Sequence, residues 1–411
     1  MADFDVLLIG TDINAYYMAR NFYEEYGVIS NIIGKVRMNF TSMSLICNVF
    51  IEPNLWNKEV FKKVLSNFGK SRNKKIVLVG TNDTYVRMIV ENAEFLSKWY
   101  AFNYVNIETL DSLLLKDNFY NQYKNYQINI PKTYNYQCRV HMVLDLQEIN
   151  KFEFPLIIKP SNSVRWAECK FQNQAKVYKV NHIEGIQKVI NAAEASGYDG
   201  ELLIQEYIEG DDTHLFDSVF YCHTDGTPLL QSFAQIGLQE QSPTGVGNCT
   251  VLINGYNQWN NTHLIKDELK KFLIDINYRG IAEFDLKYDA NRKKFYVLEI
   301  NPRQARSSYY LTACGYNLAK YLVEDLLLGN KSEFVFISQE IALTFVPIPL
   351  AKKYIKNSKY VDKLLSLFKQ GKLVNPLHYR IDNAIKRRIW LAAYYYKYFK
   401  KYKYHKPFNE K

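Results

Sequence analysis

The sequence predicts an α/β fold class: a doubly wound parallel sheet near the start, then a mixed α+β region. Three observations predict it. Strand, polar turn and helix follow one another twice near the N-terminus. A hairpin pattern over 280–309 carries acids and an amide on one strand face. And 411 residues, 47% of them hydrophobic, suit several packed units rather than one.

Residues 4–9, FDVLLI, form a buried-strand pattern that leads into Gly10-Thr11-Asp12, after which Ala15, Met18, Ala19 and Phe22 fall at helical spacing. The second copy is a strand over 75–79, the turn Gly80-Thr81-Asn82-Asp83 and a helix over 85–97. In such sheets ligands bind beyond the carboxyl ends of the strands. The turns at 10–14 and 81–83 are therefore candidate substrate contacts, with plain helix caps as the alternative. GxGxxG is absent, so neither turn is a dinucleotide fingerprint.

A helix is expected over 112–126, carrying Lys116. The short apolar strand at 154–158 ends in Lys159 and is stopped by Pro160, which sets a lysine ahead of the polar loop 161–166, suited to a phosphate group. After a helix over 183–196, a strand from 201 runs into a connector ending at Asp212. Its backbone could take an adenine edge, and Asp212 could accept from ribose hydroxyls. Strands are expected at 215–222 and 228–236. The Gly- and Ser/Thr-rich loop 239–248 either closes over a substrate or simply connects.

The hairpin itself reads as strand 280–288, turn 289–292 and strand 294–301. Glu299 and Asn301 share a face, and Asp285 can meet them from the partner strand. Two carboxylates and an amide oxygen are hard ligands, suited to a Mg²⁺ that also holds phosphate oxygens. Arg303 and Arg306 follow Pro302, and guanidinium groups suit phosphate and carboxylate. The plainer reading is an acidic turn among ordinary surface charges. Beyond it come a helix over 313–328, a β-rich stretch over 333–349 and a helix over 383–404.

Composition narrows the function classes. No run approaches the ~18 apolar residues a membrane span needs. The start lacks the basic residues and cleavage site of a signal peptide, so a cytoplasmic location is expected. The six cysteines are scattered without a CxxC pair, which fits neither a zinc site nor a disulfide framework. Of the net charge of +10, eight Lys/Arg with no acid fall between Asp382 and Glu410. A charge so localised argues against a nucleic-acid groove, so no specific nucleic acid is expected. Basic and aromatic together, residues 383–406 either lie on an anionic membrane or dock as a terminal helix on the protein.

In order, the chain offers Lys116, Lys159, the 205–212 connector, Asp285, Glu299, Asn301 and Arg303. With ELLIQEYIEGDD and YVLEINPRQARSSY, this set resembles the ATP-grasp superfamily over residues 1–330. Within it, FPLIIKPSNS, SPTGVGN and FDLKYD are most similar to D-aspartate ligases and related carboxylate–amine ligases of peptidoglycan cross-bridge synthesis. The resemblance implies an ADP-forming enzyme that makes an acyl-phosphate and couples it to an amine. It places Lys116 and Lys159 on the phosphates of ATP, and Gln205, Glu206, Tyr207 and Ile208 at the adenine hinge. Ile157 and Leu298 would sandwich the adenine, and Asp212 would hold the ribose. Asp285, Glu299 and Asn301 would hold Mg²⁺, with Mn²⁺ as a substitute, while Arg303 and Arg306 would face the transferred phosphoryl group. Many relatives carry a glycine-rich loop after the second lysine. Here 161–166 has no glycine, so Ser161, Asn162, Ser163 or Arg165 side chains would take over.

The implied partners are an acidic amino acid donor and a lysine-containing peptidoglycan precursor; if residues 383–406 lie on a membrane rather than dock on the protein, the contact expected is peripheral, at its inner face. The expected divisions are a Rossmann-like domain at 1–112, a small subdomain at 113–200, a subdomain with the metal site at 201–331 and an extension at 332–411. Rivals are a different carboxylate donor and a nucleotide-binding protein without catalysis.

Overall fold

Buried apolar strands set off by glycine and polar turns build a parallel sheet first, in a computed structural model that describes residues 3–140, 142–242, 245–259 and 262–404. The strands are β1 (Phe4–Ile9), β2 (Ser30–Gly34), β3 (Cys47–Ile51), β4 (Lys75–Gly80) and β5 (Tyr100–Ala101), in the order β3-β2-β1-β4-β5. Order reversal at β1 places the turns after β1 and β4 side by side. Gly10 has φ +123°, and a Cβ there would come within 2.0 Å of Thr81 Oγ1, so only glycine lets the two turns approach. Both turns cap helices. Asp12 accepts from the Asn14 and Ala15 N–H groups, and Asn82 accepts from Tyr85 N–H.

A smaller antiparallel sheet follows: β6 (Thr133–Gln137), β7 (Leu156–Pro160), β8 (Tyr178–Val180) and β9 (Glu201–Glu206), ordered β6-β9-β7-β8. Helix Ile183–Ala195 packs Ile186, Val189 and Ile190 onto it. The third sheet holds β10 (Leu215–Cys222), β11 (Pro228–Ser232), β12 (Ala234–Gln239), β13 (Cys249–Asn254), β14 (Gly280–Asp289), β15 (Lys294–Asn301), β16 (Val335–Ile337), β17 (Ile341–Thr344) and β18 (Leu373–Val374). Its main path runs β15-β14-β10-β12-β13-β17-β18, with β11 bridging β10 and β16.

Sheet membership departs from the expected divisions in two places. A cut after residue 200 would strip β9 from its partners β6 and β7. Likewise β16, β17 and β18 are strands of the large sheet, so the region after 331 completes that sheet. Non-local pairing of this kind leaves no trace in local composition.

Three expected helices are interrupted. The one over 112–126 breaks at Leu115, whose ψ of 109° is extended, giving Ile107–Leu114 and then Lys116–Tyr123. The one over 85–97 is Asp83–Glu91 followed by Ala93–Leu96. The one over 313–328 resolves into Tyr309–Ala313, a turn at Gly315 and Leu318–Val323, then a π-turn over Glu324–Leu328. The expected strand over 228–236 is likewise divided between β11 and β12.

The terminal helix, Ile385–Tyr404, docks on the body. Arg387, Leu391, Tyr398 and Tyr402 are buried against it. Arg387 Nη1 donates to Phe40 O at 2.8 Å, and Nε lies 3.2 Å from Asp382 Oδ2, with both side chains wholly buried. Of the expected membrane segment 383–406, the inner face is therefore occupied, and residues 405–406 lie outside the described ones. Among the described residues no helix is long and apolar enough to cross a membrane. All six cysteines are free thiols.

Candidate active site

Between the small and the large sheet lies a cleft lined from both sides. Lys116, Ile157, Lys159 and the stretch Gln205, Glu206, Tyr207 and Ile208 contribute from one direction, and Asp212, Asp285, Leu298 and Glu299 from the other. A second cavity adjoins it, shares Asp285 and Glu299, and adds Asn301, Arg303 and Arg306. Residues far apart in sequence thus converge on one continuous space. Ser161 lines neither cavity; its N–H donates to Glu201 O at 2.9 Å. The Ser163 side chain and residues 243–244 of the loop lie outside the described ones.

Hairpin register explains the acidic face. Asp285 pairs with Glu299, and Glu283 with Asn301, so these four side chains share one side of β14–β15. Asp217 on β10 pairs with Asp285 and adds a further carboxyl. At the tip, Asp289 Oδ1 accepts from Asn291 N–H at 2.9 Å and Arg292 N–H at 3.0 Å, which holds the turn and with it the register.

One irregularity shapes the cleft. Pairing skips from Asp285–Glu299 to Leu286–Val297, leaving Leu298 as the extra residue of a β-bulge. Strict alternation would send Leu298 away from Glu299, yet both line the same cleft. Its freed carbonyl accepts from the Tyr120 hydroxyl, which in turn accepts from Lys159 Nζ at 2.9 Å. Helix Lys116–Tyr123 is thereby fixed to both sheets, and its first residue reaches Glu299 at 2.9 Å. A lysine at a helix N-terminus opposes the helix dipole, so the partner carboxylate is what makes that position tolerable.

These groups set one another's protonation. Burial and the Lys116 and Lys176 cations push Lys159 down to about 7. Burial alone would raise Glu299, but Lys116, Lys176 and Lys159 outweigh it and hold the carboxyl well below the usual range. Asp285 is pushed up to about 8 by burial and by Glu299 and Asp217, and burial raises Asp217 to about 6. Glu283 is pushed up by burial and its acidic neighbours. On the hairpin face the crowded carboxyls Glu283, Asp285 and Glu299, with Asp217 beside them, oppose one another's ionisation, a local strain that a cation seated there would relieve.

As a metal cradle, the hairpin fits only a cation that takes few protein ligands. No group of three or more His, Cys, Asp or Glu side chains suited to a metal occurs among the described residues. Asp285 and Glu299 face each other. Asn301 Nδ2 donates to Glu283 Oε2 at 2.8 Å and to Asp285 Oδ2 at 3.3 Å, while its Oδ1 accepts from Arg303 Nη2 at 3.0 Å. Two carboxylates steadied by an amide suit Mg²⁺, which keeps waters and phosphate oxygens in its shell.

Arg303 reaches across to the N-terminal sheet, with Nε 2.5 Å from Asp83 Oδ1. Asn14 lines the second cavity and donates from Nδ2 to Thr81 O at 3.0 Å. Arg306 is held by Cys249 O at 2.7 Å and lies 3.9 Å from Glu240. At the far end, Asp212 accepts from Gln239 N–H at 2.9 Å and Nε2 at 2.7 Å, and burial pushes it up to about 6. Each oxygen retains a lone pair for a further donor. The Glu206 side chain turns out of the cleft, accepting from Lys132 N–H and from Arg292.

Several residues of the site escaped the sequence reading. Glu283 and Lys287 sit two positions either side of Asp285, so period-2 alternation had the signal to find them. Burial pushes Lys287 down to about 8. Lys176, which lines both cavities and donates to Val246 O at 3.3 Å, comes from a loop with no local signature.

No family model matches the chain. A D-aspartate ligase from Enterococcus faecium (strain Aus0004) is 28% identical over 414 residues, spanning 97% of each chain. Among solved structures, N5-carboxyaminoimidazole synthetase from Staphylococcus aureus aligns with a TM-score of 0.59 at 13% identity, covering 89% of this chain and 86% of that one. L-amino acid ligase from Bacillus licheniformis gives 0.57 at 13%, covering 80% and 75%. D-alanine–D-alanine ligase from Bacillus anthracis gives 0.51 at 15%, covering 80% and 97%.

Proposed function

We infer from the ATP-grasp fold, which this chain shares with those enzymes, and from its end-to-end similarity to a D-aspartate ligase that it is an ADP-forming carboxylate–amine ligase. The donor in this reading is an acidic amino acid, D-aspartate first. It is activated as an acyl-phosphate and coupled to the lysine side-chain amine of a peptidoglycan precursor. The observation that carries the reading is the cleft, where two lysines, facing carboxylates and two arginines meet between two sheets.

The chemical obstacle is a poor electrophile. A carboxylate resists an amine because its charge is delocalised and oxide leaves badly, whereas a mixed anhydride with phosphate opens readily. Lys116 and Lys159 would neutralise phosphate oxygens, with Lys176 beside them. Gln205 to Ile208 would receive the adenine between Ile157 and Leu298, and Asp212 the ribose. Asp285 and Glu299 would hold Mg²⁺ with Asn301 alongside; the ion would neutralise charge shared between nucleotide and transferred phosphoryl group. Arg303 and Arg306, in the adjoining cavity, are where the donor carboxylate and the phosphoryl group would meet. The jaws of the clamp are then the small sheet and the large one, with 205–212 between them.

Phosphate release with ATP and Mg²⁺ across D- and L-amino acids and lysine-bearing acceptors tests this. D-Aspartate should give turnover, and Glu299→Gln should abolish it. Turnover with another acid but none with D-aspartate assigns a different donor. Silence across the whole panel, or a Glu299→Gln variant as active as the native chain, refutes the ligase reading or its metal assignment respectively.

A further inference from the structure

The terminal helix has two apolar faces, and the body uses only one. Opposite the buried side, Ile385, Ile389, Tyr396 and Phe399 recur at steps that keep them on a single stripe. All four are exposed, Ile385 by 74% and Ile389 by 67%. A helix docked on a protein ordinarily turns a polar face outward. This one turns out hydrophobic side chains from Ile385 to Phe399, with the exposed Lys403 continuing the same line towards its end.

Cations flank that stripe. Lys386, Lys397 and Lys400 lie along one border and Arg388 along the other, all exposed. No Asp or Glu occurs over 383–404; the nearest acid in sequence, Asp382, is wholly buried against Arg387, and the buried Glu240 pairs with Lys401. Asp382 also accepts from Leu45 N–H at 2.7 Å, which brings the exposed side chains of Leu45 and Ile381 next to the start of the helix.

We propose that this face docks on an anionic lipid surface. The stripe enters the headgroup boundary while the flanking Lys and Arg side chains extend to lipid phosphates. Charge selects this occupant. A second copy of the chain, meeting the same patch about a two-fold axis, would set cation rows against each other. A nucleic-acid duplex would satisfy the cations and leave the apolar stripe in water. The inference stands apart from the ligase reading, because none of these residues lines the cleft.

The test is co-sedimentation of the full chain with phosphatidylcholine vesicles, with and without phosphatidylglycerol. The native chain should bind the anionic vesicles about tenfold or more better, and moderate salt should weaken binding. Ile389→Asp with Phe399→Asp should abolish pelleting, and Lys386→Gln with Arg388→Gln should remove its salt-sensitive part. Unchanged thermal unfolding would show that these exposed substitutions leave the fold intact, and vesicle-free phosphate release should also be unaffected. Equal binding to both vesicle types, no binding, or binding undiminished in the variants overturns the proposal. So does a dimer of the native chain that the aspartate variant dissolves.

Discussion

Lys159 gathers the electrostatics of the cleft into one side chain. Burial and two neighbouring cations hold it near 7, against 10.5 for a free lysine. Between those values the unfolded chain binds a proton that the folded chain does not, so folding stability rises with pH across that window. Replacing the lysine removes the dependence. Lys159→Met should therefore melt higher than the native protein near pH 7, and the gap should close towards pH 10. Thermal unfolding across that range measures it, and a gap that widens with pH would refute the assignment. The same variant should lose nucleotide binding. In the proposed function, what this destabilising group supplies in return is a cation for phosphate.

At the level of elements, the hairpin and its bulge carry the site. The strand 294–301 and its turn were legible because β-rich residues, turn residues and alternation agree there, and the structure has β15 over those residues. The bulge at Leu298 was not, since nothing in VLEIN marks where pairing will slip. The break at Leu115 was equally hidden: both halves have good helical spacing, and tertiary contacts through Tyr120 and Lys116 separate them. Loop 239–248 gives a further prediction. Gln239 bonds Asp212 twice, accepts from Gly247 N–H at 2.8 Å, and through its carbonyl accepts from Tyr402 OH at 2.8 Å. Gln239→Leu removes its side-chain bond to a buried carboxyl, worth about tenfold or more in an equilibrium constant. A fluorescent-nucleotide titration should show weaker binding by about that factor; unaltered affinity would mean Asp212 does not meet the nucleotide.

The whole molecule is tied together by its last described helix. Arg387 and Asp382 form an ion pair with no exposed side-chain surface, and Arg387 stacks 4.0 Å from the Tyr16 ring. Removing one partner strands a buried charge, so Arg387→Met should cost about 3–5 kcal/mol in urea unfolding. A cost within ~0.5 kcal/mol, the range of an ordinary surface change, would show that the pair is not load-carrying. Composition flagged these residues as basic and aromatic, yet could not divide them into an inward and an outward face, because that division depends on which surface the helix meets. Further along, Lys401 pairs with Glu240 at 2.5 Å, and Glu240 lies beside Arg306. The cleft's lysines and acids all precede this helix in the sequence, and through Lys401 and Glu240 the helix reaches the wall beside Arg306. A nascent or prematurely terminated chain ending before residue 385 would have the chemistry without its supporting wall. Such a chain should release no phosphate from ATP under conditions where the full chain does, which an assay of a variant ending near Asp382 measures.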